Sequence, residues 1–165
     1  MYNGLMNLMN NLEARYQISI IDNTIMHTEN KYNVLLAIDP ISISMAGLAI
    51  AAGGVLNFET EQVTTILVDN NYLNMTEEGK RFIIAHEVGH ITYQIEKFRS
   101  GNYVRNIEDE FEADEYAMEQ VGLEASLQGL NEIKAILIDS FVAQECIDEI
   151  DTRMENLINK SMVTC

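Results

Sequence analysis

Thr76-Glu77-Glu78-Gly79-Lys80-Arg81-Phe82-Ile83-Ile84-Ala85-His86-Glu87-Val88-Gly89-His90-Ile91-Thr92-Tyr93-Gln94-Ile95 is the stretch on which the fold turns. Thr76 suits an N-cap, Glu77 and Glu78 suit the positive end of a helix, and apolar residues then recur at helical spacing to about Ile95. Ile84, Val88, Ile91 and Ile95 make an aliphatic face at i, i+4, i+7 and i+11, almost opposite His86 and His90. Phe82, Ile83 and Tyr93 surround the histidines, so the pattern predicts a helix buried on both faces. Two histidines and a glutamate inside such a helix need a chemical reason. Gly89 is unfavourable in mid-helix by about 1 kcal/mol relative to Ala, which points to close approach by another segment.

His86-Glu87-Val88-Gly89-His90 supplies a reason. At about 100° per residue, positions i and i+4 lie about 40° apart and one turn up, so the two imidazoles can converge on one ion. Glu87 falls about 100° round from His86, beside an ion rather than on it, where a carboxylate can take a proton from an activated water. The five-residue pattern alone is moderately specific. The bland alternative is a pair of hydrogen-bonded core histidines with no metal at all.

A catalytic zinc takes three protein ligands and leaves a position open. His27 lies far upstream in the polar run Met26-His27-Thr28-Glu29-Asn30 and reads as a surface residue, which leaves the carboxylates between Glu108 and Glu115. These sit on a helix predicted from about Asn106 to Val121 and stopped by Gly122. Ile107, Phe111, Met118 and Val121 define its buried face, with Glu110 at the edge and Asp114 in the middle; Glu108, Glu112, Glu115 and Glu119 share the opposite, solvated side. Glu110 is therefore the expected third ligand, and Asp114, one turn on, could accept the other N–H of a ligand histidine. Two alternatives stay open: Glu110 pairs instead with Arg105, Arg99 or Lys97, or Glu112 is the ligand.

Upstream, the chain changes period. Leu5, Leu8, Met9 and Leu12 suggest a helix over residues 5–16, and strand candidates follow at Gln17 to Ile21, Asn33 to Ile38, Gly47 to Ala51 and Val63 to Asp69, the last closing at an Asn70-Asn71 turn. Arg99-Ser100-Gly101-Asn102 reads as a loop, and a third helical stretch runs from about Ser126 to Ser161 with a break near Gln144. Few strands followed by long helices predict an α+β domain: a small, mainly antiparallel sheet packed on the active-site helix, with a helical C-terminal half. One domain over 1–165 fits the chain length of 165 residues.

The pattern His86-Glu87-Val88-Gly89-His90, with Glu110-Phe111-Glu112-Ala113-Asp114-Glu115-Tyr116-Ala117 downstream, resembles gluzincin metallopeptidases. The lead-in Ile66-Leu67-Val68-Asp69, Leu73 and Arg81-Phe82-Ile83-Ile84-Ala85 is similar to the ImmA/IrrE type, over a family-like core of about residues 47–121. Many members of that type carry Asn where this chain has Asp114, which other gluzincins share. The resemblance implies a minimal zincin-like fold, one zinc ion on His86, His90 and Glu110, and Glu87 as catalytic base. It further implies a cytoplasmic endopeptidase, often encoded by phages or mobile elements, that cleaves or inactivates a protein such as a transcriptional repressor. A metal-stabilised antirepressor that sequesters a regulator without cutting it is the alternative. Iron or manganese could occupy a His/His/Glu site in place of zinc.

Ten Lys+Arg against 26 Asp+Glu give a net charge of −16, which argues against direct nucleic-acid binding and against an anionic membrane surface. The uncharged run Ile41 to Leu56 is interrupted by serines and by Gly53-Gly54, and suggests a buried strand and turn rather than a membrane span. Cys146 and Cys165 form no metal or redox pair, and the residues after Met1 lack a secretory pattern, so a cytoplasmic location is expected. Leu130, Ile133 and Leu137, then Ile147, Ile150, Met154 and Leu157, keep 3-4 spacing over a C-terminal extension of about residues 126–161. That stripe packs either on the domain's own core or on a second copy or regulator.

Overall fold

The computed structural model describes residues 19–20, 34–38, 51–58, 61–68, 70–99, 104 and 106–163. From Asn70 on these form helices: α1 (Asn70–Asn74), α2 (Glu77–Arg99), α3 (Ile107–Val121), α4 (Leu123–Asp139) and α5 (Gln144–Val163). The expected α+β class is thereby corrected. Of the residues placed together with their side chains, 87% are helical, and the body they build is a helical one. Upstream, the backbone runs through β1 (Ser19–Ile20), β2 (Val34–Ile38), β3 (Ala51–Phe58) and β4 (Glu61–Val68) in the order β1-β2-β4-β3, with β2 and β4 parallel. Among the described side chains, Ile66 and Val68 near the end of β4 join the buried core, whose other members lie on helices or between them.

The physical reason lies in what covers α2. Its main neighbours are α3 and α4, with β3 along part of its length. A Cβ built on Gly89 would stand 2.8 Å from Ala113 Cα, so the α2 and α3 backbones touch where one of them has no side chain. At Gly129 of α4 a Cβ would meet the Phe82 ring at 2.4 Å, and Phe82 fills that notch completely buried. Small residues at both crossings bring α3 and α4 close against α2. The close approach expected at Gly89 is thus made by α3.

Caps fix the ends of these helices. Thr76 Oγ1 accepts from Gly79 N at 3.1 Å, and Glu132 of α4 accepts both the Thr76 hydroxyl and the Thr76 N–H, the latter at 3.0 Å. Asn106 caps α3 through Oδ1, which accepts from Asp109 N at 2.8 Å, and Gly122 at φ 87° ends it, as predicted. Asn70-Asn71 opens α1 instead of making a turn, and β3 begins where the predicted strand Gly47 to Ala51 ends. The C-terminal stretch is two helices that start at Leu123 and are parted by residues 140–143, with Phe141 at φ 55° in the turn, so the break falls where it was expected, just before Gln144. Leu130, Leu137, Ile150 and Leu157 are buried, and Ile133, Ile147 and Met154 pack against them, so the apolar stripe faces the molecule's own core. The predicted helix over 5–16, His27 and residues 41–50 lie outside the described residues. Among the described residues no helix is long and apolar enough to cross a membrane.

Gly89→Ala tests the helix crossing. Helix propensity favours Ala by about 1 kcal/mol, but the new methyl meets backbone that cannot rotate away, so a net loss of about 1–3 kcal/mol is expected in urea denaturation. Unchanged or increased stability would show that the α2 and α3 backbones are further apart than described.

Candidate metal centre

α2 presents His86 and His90 one turn apart, and α3 brings Glu110 against both. His86 Nε2 and His90 Nε2 are 3.0 Å apart, and Glu110 Oε2 lies 3.5 Å from the first and 3.8 Å from the second. All three residues are buried, with exposures of 5%, 8% and 6%. A tetrahedral ion with bonds of about 2.0–2.1 Å sets its donors about 3.3 Å apart, and the observed triangle brackets that value.

The hydrogen bonds behind the triangle decide which atoms carry protons. His86 Nδ1 faces Asp114 Oδ1 at 2.8 Å; an ionised carboxylate only accepts, so Nδ1–H donates. His90 Nδ1 faces Gln94 Oε1 at 2.8 Å, while Gln94 Nε2 donates to Asp109 O at 2.9 Å, which fixes the amide orientation and makes Nδ1–H the donor here too. When neutral, each imidazole therefore turns an Nε2 lone pair toward the other, and toward a carboxylate oxygen. Three acceptors at this distance repel one another unless a proton or a metal cation lies among them. His86, His90 and Glu110 can hold a metal ion.

Electrostatics point the same way. Burial would lower the His86 pKa, but Asp114 and Glu110 outweigh it and hold the value at about 9. The pull on a proton there is a pull that a metal cation would also feel. Burial would raise Glu110, but His86, His90 and Arg153 keep it well below the usual carboxylate range; Asp114 is lowered likewise, against burial, chiefly by Arg153.

Glu87 is 7% exposed, on α2 next to His86. Glu112 is exposed and stands apart from the cluster, which removes it as a ligand. Asp114 occupies the bracing position anticipated for it. Tyr93 is half exposed and meets the Tyr116 ring edge-on at 5.9 Å, so these two rings pack on each other. The buried residues of α3 are Asp109, Glu110, Ala113, Asp114 and Ala117, whereas Ile107, Phe111, Met118 and Val121 are only partly buried.

Two braces escaped the sequence. The signal for Gln94 was its place one turn beyond His90 on the same helix. Arg153 meets Glu110: its Nη1 lies 3.2 Å from Glu110 Oε2, and its Nε and Nη2 each donate to Asp114 at 2.7 Å; the side chains of Lys97, Arg99 and Arg105 lie outside those described. Its signal was a lone cation between Ile150 and Leu157 on an otherwise apolar stripe. Compared with family models, curated proteins and solved structures, the chain matches none.

Metal added at about 100 times its dissociation constant should stabilise the wild type by about 2.7 kcal/mol, read as a rise in the thermal midpoint. The double variant His86→Ala/His90→Ala should show no response. An equal rise in both would place the ion elsewhere.

Proposed function

We propose that this chain is a zinc-dependent endopeptidase in which His86, His90 and Glu110 hold one ion and Glu87 is the general base. The observation that carries this reading is the convergence of three atoms able to ligate a metal, from His86, His90 and Glu110, with the buried Glu87 next to His86 on α2. The likeness of these residues to the gluzincin pattern, and of the lead-in to the ImmA/IrrE type, supports it. Bound at these donors, zinc supplies Lewis acidity, which acidifies water and polarises a carbonyl.

The chain's own residues handle the protons. Glu87 accepts one from the attacking water as its oxygen bonds to the peptide carbonyl carbon. Glu87 then returns that proton to the amide nitrogen as the C–N bond breaks, leaving a carboxylate and an amine. Asp114 and Gln94 keep Nδ1 of each histidine protonated, and thereby keep Nε2 free to ligate. A net charge of −16 favours a basic protein substrate and disfavours nucleic acid, which suits a DNA-binding regulator freed from its site.

Glu87→Gln is nearly isosteric and leaves the three donors in place. It should keep metal content and reduce cleavage at least about 100-fold. The readout is the set of protein fragments that appear in cells expressing wild type and not the variant. If the variant retains full biological effect, the protein sequesters its regulator without cutting it.

A further inference from the structure

Arg153 stands on α5, 39 residues beyond Asp114 and outside the part of the chain that resembles a known family. It is 5% exposed. One guanidinium clamps both oxygens of Asp114, the carboxylate that holds His86, and reaches Glu110 Oε2, the oxygen that faces both imidazoles. Resting on the metal reading above, we propose that Arg153 is a positioning residue of the metal centre, and that it couples the seating of α5 to metal affinity.

The geometry gives this role a sign. As a bare positive charge beside the site, Arg153 would repel a cation, and its removal would tighten metal binding. As a planar fork it fixes the Asp114 carboxylate and restrains Glu110, and its removal would loosen binding. Asp114 accepts from His86 Nδ1 through Oδ1, the same oxygen that takes Arg153 Nη2, so its plane sets the imidazole's aim. The seat of α5 is fixed by buried Ile150 and Leu157 on either side of Arg153. Polar ties reinforce it: Asn156 and Lys160 to Glu115 of α3 at 3.2 and 3.0 Å, and Asp151 to Lys134 of α4 at 2.6 Å. A displacement of α5 therefore moves the fork, and an ion that needs the fork must in turn favour the seated helix.

The test uses full-length wild type, Arg153→Lys and Arg153→Met, each stripped of metal and checked for fold by circular dichroism. Each is titrated with Zn2+ by calorimetry and with Co2+ by visible absorption, and amide exchange in α5 is followed with and without Zn2+. Wild type should bind one ion, and Zn2+ should slow exchange in α5. Both variants should bind about 10–100-fold more weakly, with altered Co2+ bands and loss of the exchange response. Lys keeps the charge but cannot fork, so it decides the question alone if Arg153→Met does not fold. Binding by Arg153→Lys as tight as wild type, or tighter binding by Arg153→Met, overturns the inference. Failure of the wild type to bind either metal overturns the metal reading instead.

Discussion

Two imidazole nitrogens 3.0 Å apart, each on a ring whose other nitrogen is held as a donor, are the constraint to which the rest of the molecule answers. Left to themselves the rings would turn away from each other or pick up protons. They are held by Asp114 behind one and Gln94 behind the other, and those braces are held in turn by Arg153 and by a backbone carbonyl of α3. Every link in that chain is buried. The bracing therefore operates where water cannot substitute for a missing partner, and where each hydrogen bond is electrostatically stronger than at the surface.

Close helix packing makes this possible. Glu110 and Asp114 reach α2 because α3 lies against Gly89 through Ala113, a contact that any larger residue at either position would hold open. On another side, Phe82 is seated against Gly129, which ties α2 to α4. The fully buried positions of α3 are alanines and carboxylates rather than large apolar side chains. Its packing thus follows the site's need for proximity as much as the burial of hydrophobic area.

This division explains what could be read from the sequence. His86 and His90 at i, i+4 were legible because helical geometry alone brings them together. Glu110 and Asp114 followed from the helical angle, even though Ile107, Phe111, Met118 and Val121, which defined that angle, are only partly buried. Helix ends at Thr76, Asn106 and Gly122 were legible from local capping chemistry. The fold class was not. Apolar runs before Asn70 suggested a sheet as the platform, whereas α2 is covered chiefly by helices that small residues allow to approach. Arg153 was also hidden, since nothing local links it to residues 39 and more positions away.

Charge balance closes the account of why such a centre can exist. Among the described residues, the buried interior holds Glu87, Asp109, Glu110 and Asp114 against Arg153 as the one permanently charged cation. A buried carboxylate is costly unless it is paired, hydrogen-bonded or metal-bound, and one guanidinium serves Asp114 and Glu110 together. Arg153 offsets only part of that negative charge, and a proton on His86 offsets more. A divalent cation among the three facing atoms would take the place of that proton, and would leave the Nδ1–H bonds of both imidazoles intact. The acidic interior and the convergent lone pairs are thus one property seen from two sides, and the fold keeps it by placing its neutralising arginine on the helix furthest along the chain.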